Sequence, residues 1–105
     1  MKEINSTELK TSLDEGKTPV LLDVREDWEY RLCHLENSVH IPMGDIPGRI
    51  SELCKNDEII VICHHGARSL QVAWFLESQD FANVVNLSGG VDAWASTVDA
   101  SMHRY

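Results

Sequence analysis

The 105-residue chain has the length of one domain, and with 43% hydrophobic and 25% charged residues it has the make-up of a globular protein rather than a disordered one. No apolar run approaches the roughly 20 residues needed to cross a bilayer, which excludes a membrane-spanning role. Nine Lys and Arg against 17 Asp and Glu give a formal charge of −8. Phosphate neutralisation needs clustered cations, so nucleic acid is not an expected partner, and the acidity reads as solubility. The first residues, Met1 to Ser6, hold no apolar signal core, and the three cysteines, Cys33, Cys54 and Cys63, cannot all pair with one another. Both features point to a reducing, cytoplasmic setting and to a thiol left free to react.

Strand-like and helix-like segments alternate without repeats or a linker, the pattern of one α/β domain over residues 1–105. Its core is expected from about residue 4 to 97, with a tail, 98–105, that lacks periodicity. Ile4 falls in a short first strand. Ser6 or Thr7 is expected to cap a helix running to about Glu15, with Gly16 past its end. Val20 to Val24 reads as a buried strand, and Glu26 to Leu32 as a short helix with acids in its first turn. Val39 to Ile41 is a strand stopped by Pro42, and Asp45 to Leu53 is predicted helical, with Pro47 in its first turn. Glu58 to Ile62 is the clearest strand, a β-branched run suited to burial on both faces. A helix follows from about Ala67 to Ser78. Leu70, Ala73, Trp74 and, beyond it, Phe81 keep helical spacing, while Gln71, Glu77 and Ser78 can face water. Val84 to Leu87 is a further strand, and Gly89-Gly90 opens a helix holding Val91, Ala93, Trp94 and Ala95. Trp28, Trp74 and Trp94 read as core or half-buried packing.

The chemistry is expected in Cys63-His64-His65-Gly66-Ala67-Arg68-Ser69, between the most buried strand and an amphipathic helix. In open α/β sheets, ligands collect beyond the carboxyl ends of strands. A short strand-to-helix loop can aim several amides at one spot, and the helix N-terminus favours an anion there. That anion could be the thiolate of Cys63, the nucleophilic form that a helix N-terminus and a guanidinium favour. Arg68 offers a permanent cation and a planar fork for an oxyanionic substrate. Gly66 opens backbone angles closed to other residues, and the Ser69 hydroxyl can reach the sulfur or the loop backbone. The alternative is that Cys63 is a small buried hydrophobe ending a strand; the company of its neighbours favours function. Four residues separate Cys63 from Arg68, whereas tyrosine and dual-specificity phosphatases of related fold have five in the equivalent loop. The shorter loop makes a tighter cradle, suited to a sulfur on the cysteine rather than a phosphoryl group.

Four blocks in order carry a resemblance: Leu21-Leu22-Asp23-Val24-Arg25-Glu26, His34 to Pro42, the Cys63 to Ser69 loop, and Asn86 to Trp94. Together they resemble a single-domain rhodanese, a sulfurtransferase, over nearly the whole chain. The resemblance implies a five-stranded, mostly parallel sheet with helices on both faces. It implies that Cys63 takes a sulfane sulfur from a small donor, thiosulfate or a persulfide, and passes it to cyanide, a thiol or a protein acceptor. It implies neither a metal nor an organic cofactor. Arg68 and the loop amides would stabilise negative charge at each stage. The chain departs from the pattern in two places: Cys33 stands where a glycine often precedes the histidine His34, and His64 and His65 stand in a loop where members specialised for thiosulfate often carry more basic residues. Neutral histidines help a dianion less, so a persulfide donor is favoured over thiosulfate.

Asp23 in an apolar strand reads as a structural carboxylate bonded to backbone or to Arg25, with acid–base work the lesser alternative. Arg25 is expected to pair with a carboxylate near the site mouth, with a substrate role the lesser alternative. His64 and His65 are expected on an exposed loop, where they either tune the pocket's charge or merely fill backbone positions. Cys33-His34 and Cys63-His64-His65 lack paired metal-ligand spacing, so no metal site is expected. Cys54 reads as incidental, and Cys33 as a resolving thiol only if it approaches Cys63. Two other functions compete: a phosphatase or arsenate reductase of related fold, which the loop length disfavours, and a rhodanese-like binding or sensing module without turnover, which the retained cysteine disfavours.

Overall fold

Parallel pairing of five short strands sets the architecture. The computed structural model describes residues 1–105. In chain order come β1 (Lys2–Ile4), α1 (Ser6–Asp14), β2 (Val20–Asp23), α2 (Asp27–Leu32), β3 (Val39–His40), α3 (Ile46–Arg49), β4 (Glu58–Ile62), α4 (Ala67–Ser78), β5 (Asn83–Leu87) and α5 (Gly90–Thr97). The sheet order is β1-β5-β4-β2-β3, every pair parallel. Helices lie on both faces, as the resemblance implied.

Central β4 divides by the period of two that a strand imposes. Ile59 and Val61 enter one apolar layer, closed by Ile46 of α3 and by Val72, Ala73 and Leu76 of α4. Ile60 and Ile62 enter the other, closed by Leu9 of α1 and by Val91 and Trp94 of α5. At about 1.5–3 kcal/mol for each large aliphatic side chain buried, these two layers hold the strand ends rigid where the loops begin.

Several local expectations are corrected. Asn5, not Ser6 or Thr7, caps α1: its side chain accepts from the Glu8 amide while the Glu8 carboxylate accepts from the Asn5 amide. The reciprocal pair satisfies two amides that a Ser6 cap would leave open. Residues 45–53 are not one helix. Single 3-10 turns at Met43–Asp45 and Ile50–Glu52 flank the four-residue α3, because Pro47 and Gly48 weaken the run and Arg49 departs from helical angles at φ −120°. Trp28 and Trp74 are 61% and 56% exposed, and only Trp94 is buried. The inward face of α4 is Ser69, Val72, Ala73 and Leu76; turning Ser69 toward the end of β4 rotates Trp74 into solvent.

From the sheet centre, β2 leads to β3 on one side and β4 leads to β5 on the other. The switch between β2 and β4 opens a crevice beyond their carboxyl ends. The β4–α4 loop begins there and is pinned from behind by α5: the Val91 amide donates to Cys63 O at 2.9 Å and the Asp92 amide to His64 O at 3.1 Å. Gly90 permits this approach. Its φ is +55°, and a Cβ there would fall on the carbonyl oxygens of Cys63 and His64. Gly90→Ala is therefore expected to cost about 2–4 kcal/mol through combined backbone strain and overlap, read as a lowered urea midpoint.

Candidate active site

Cys63 follows β4 directly and is 1% exposed. Its carbon atoms pack in the apolar layer under α4, but its sulfur meets polar groups. The Gly66 amide donates to Sγ at 3.0 Å, and Sγ lies 3.3 Å from Ser69 Oγ. Gly66 sits at φ +113° as the residue before α4, the left-handed angle that turns its amide back onto the sulfur. The first-turn amides of α4 have no carbonyl one turn earlier to bond, so the helix presents positive potential to the loop. Ser69 is fully buried and lies within hydrogen-bond reach of Gly66 O at 3.1 Å and Asn86 Oδ1. Asn86 on β5 also donates to Gly66 O at 3.3 Å, which ties the loop to the neighbouring strand. Ala67 is exposed and only opens α4.

Arg68 is not a free cation. Its Nη1 and Nη2 hold the two carboxylate oxygens of Glu29 at 2.6 and 2.9 Å. Glu29 comes from α2 and is 4% exposed, while the Arg68 side chain remains 36% exposed. The bidentate fork fixes the guanidinium plane and leaves its other N–H groups directed elsewhere. Glu29 was not singled out in the sequence. Its pairing spans 39 positions, and the only local signal is its place on a helix that follows β2 at the sheet switch.

Asp23 and Arg25 form the buried pair anticipated for them. Both side chains are 0% exposed, with Nη2 to Oδ2 at 2.7 Å and Nε bridging both carboxylate oxygens. Arg25 also donates to Cys33 O at 2.6 Å and to Tyr105 Oη at 3.0 Å. Tyr105 in turn donates to Glu29 Oε2 at 2.6 Å. A chain of alternating charge, Asp23, Arg25, Glu29, Arg68, thus runs through one phenol to the site. The partner of Arg25 is Asp23 at the end of β2, and no direct substrate contact is open to a guanidinium buried this fully. Cys33 turns its sulfur toward Arg25 Nη1 at 3.9 Å, and Cys54 is exposed.

The two loop histidines differ. His65 is exposed, 3.9 Å from Asp92. His64 does not occupy the exposed position expected of it: it is half-buried, its ring stacked on Tyr105 at 3.9 Å between centroids, and its Nε2 is buried without a partner. Burial, with His65 alongside, lowers its pKa, so near neutral pH the imidazole is uncharged.

The Arg68 hydrogen bonds, supported by those from Tyr105 and the Glu26 amide and opposed by burial, bring the Glu29 carboxyl from 4.5 down to about 2. A carboxyl lowered on folding contributes stability that is full above its unfolded pKa and is lost as pH falls through the folded value. Glu29 should therefore contribute fully above pH 4.5 and lose its contribution on the way down to about pH 2. Urea midpoints measured across this range are expected to fall less steeply with acid in Glu29→Gln than in the unaltered chain. The same variant should be the less stable of the two at neutral pH.

Known proteins share this family and fold. The model of the Rhodanese-like domain matches residues 5–97. A protein of Allochromatium vinosum named sulfurtransferase is 35% identical over 95 residues, covering 90% of this chain and 89% of that one. YrkF of Bacillus subtilis is 38% identical over 97 residues, 92% of this chain, which spans only about half (52%) of that protein. Among solved structures, a rhodanese-like domain protein of Staphylococcus aureus superposes with a TM-score of 0.87 at 34% identity, covering 100% of this chain and 99% of that one. With its five parallel strands, its cysteine loop and these likenesses, the chain belongs to the rhodanese-like domain family.

Proposed function

We propose that this protein is a sulfurtransferase that carries sulfane sulfur as a persulfide on Cys63. The observation that carries the reading is the Cys63 sulfur at the end of β4, bonded by the Gly66 amide, beside Ser69 and separated from Arg68 by four residues. Similarity to a protein named sulfurtransferase supports the reaction class. In the first half-reaction the Cys63 thiolate attacks the outer sulfur of the donor. The donor's S–S bond breaks, and its remainder leaves with the electron pair as sulfite or a thiolate. In the second, an acceptor thiolate or cyanide attacks the outer persulfide sulfur, and the Cys63 thiolate is released.

The loop residues supply fixed dipoles for both halves. The Gly66 amide stays on the inner sulfur, and α4's first-turn amides face the charge that develops on the outer one. Ser69 serves either protonation state. With its proton on Asn86 it accepts from the thiol, and with its hydroxyl turned it donates to the thiolate.

A persulfide donor fits the site better than thiosulfate. Arg68 is neutralised by Glu29, and His64 is uncharged near neutral pH. No unpaired cation is then at hand for a dianion, and what remains is directed hydrogen bonding from the free edge of the guanidinium and the amides. Acceptors follow the same logic: a small thiol, or a cysteine at the end of a protein segment.

Intact mass after incubation with a sulfur donor is expected to rise by one sulfur atom in the unaltered chain and by none in Cys63→Ser. Arg68→Ala should retain the fold by circular dichroism and lose about 10²-fold in turnover, as for removal of one preorganised donor group. An alkyl persulfide should load Cys63 with a higher kcat/KM than thiosulfate. Hydrolysis of an aryl phosphate without sulfur loading would assign the chain to phosphatase chemistry instead. An inert thiol with neither activity would make it a binding module.

A further inference from the structure

The segment after α5 returns across the carboxyl edge of the sheet. Val98, Met102 and Tyr105 pack on the apolar layer beneath α1 and α5. The Val98 and Asp99 amides both donate to Trp94 O, and Arg104 pairs with Asp92 at 3.0 Å. Tyr105 then touches both flanks of the cysteine loop. Its ring lies 9° from parallel to His64, the residue after Cys63. Its phenol oxygen is bonded to Glu29, the carboxylate that holds Arg68, and to Arg25. Trp28 stands edge-on to the same ring at 5.6 Å and carries the aromatic surface outward.

A ring held by one stack and two charge-assisted hydrogen bonds is a fixed wall rather than a mobile side chain. Burial, followed by the hydrogen bond to Glu29, pushes the phenol up to about 12, so it keeps the proton it donates across the working pH range. Cys63 is 1% exposed, so what stands beside its loop governs what reaches its sulfur.

We propose that Tyr105 is a specificity-determining residue: its ring walls one side of the mouth over the Cys63 loop, admitting compact sulfur donors and acceptors and turning away those with a bulky group beside the reacting sulfur. The substrates named here rest on the persulfide reading, but the wall can be measured on the thiol alone.

The test compares alkylation of Cys63 by iodoacetamide and by N-phenylmaleimide in the full chain, followed by peptide mass so that Cys33 and Cys54 are scored separately. In Tyr105→Ala the ratio of bulky to compact rates is expected to rise about tenfold or more, the scale on which pockets discriminate by size. Tyr105→Phe keeps the ring and its stack on His64 but frees it from Arg25 and Glu29, and its ratio should rise only about threefold, the low end of what the loss of one hydrogen bond costs. Sulfur loading should follow the same order with methanethiosulfonate and benzenethiosulfonate, from which the thiolate takes the outer sulfur while a sulfinate leaves with the electron pair. A ratio unchanged in both variants overturns the proposal. Equal acceleration of both reagents, the mark of general loosening, also overturns it. Absence of sulfur loading in the unaltered chain would instead overturn the persulfide reading, and the alkylation ratio would still decide the wall.

Discussion

The site depends on two backbones approaching each other without side chains between them. The β4–α4 loop offers the carbonyls of Cys63 and His64 to the amides of Val91 and Asp92 at the start of α5. With those carbonyls turned outward, the loop is committed to one orientation, and the Gly66 amide is left facing the sulfur. Gly90 makes the approach possible on one side. On the other, Gly66 holds a φ of +113° that side-chain-bearing residues rarely adopt, while a Cβ there would meet Gly89 only at ordinary contact distance. A cysteine on a strand end is otherwise a small apolar residue. Here the neighbouring helix sets which way its following peptides point, and so gives its sulfur a polar side.

The second constraint is electrical. Asp23, Arg25 and Glu29 are all buried, which is unfavourable for any of them singly. The alternation Asp23, Arg25, Glu29, Arg68 brings two carboxylates and two guanidiniums into one hydrogen-bonded chain with no net charge. Tyr105 joins the halves without adding charge, accepting from Arg25 and donating to Glu29. Removing one member costs stability, because it leaves a buried charge less well compensated, and the cost is greatest at Asp23 and Arg25, which are fully buried, and least at the half-exposed Arg68. The chain of charges couples the orientation of Arg68 to the packing beneath β2, and turns a half-exposed side chain into a fixed one.

Local patterning made most of the framework legible. The β-branched run of β4, the strand-to-helix step at Cys63 and the span of α4 are written in consecutive residues, and the structure reproduces them. Asp23 and Arg25 stand two positions apart, so their pairing was also readable. Contacts made at a distance left no such trace. Glu29 meets Arg68 across 39 positions, Asn86 meets Ser69 across 17, and Tyr105 meets Glu29 across 76. The tail lacks periodicity because it is held by single anchored side chains rather than by a helical or pleated face. Trp28 and Trp74 misled for the complementary reason. Helical spacing says which residues share a face, but which face turns inward was decided by Ser69 and Glu29, whose polar side chains are buried at the site.

The charge pattern bears on substrate choice more than on fold. A dianion approaching a chain of net charge −8 is opposed at long range. At close range it finds Arg68 already paired at 2.6 Å, so the guanidinium presents a short dipole whose field falls off faster than that of a lone charge. Amide dipoles and the free edge of that guanidinium still act at hydrogen-bond distance, where charge shifts between the two sulfurs of a breaking bond. Such a site gains little from a substrate's total charge and much from the position of one reacting atom. Placing one reacting atom is also what the proposed transfer of a single sulfur would require, and on that proposal the short loop and the compensated arginine serve one purpose.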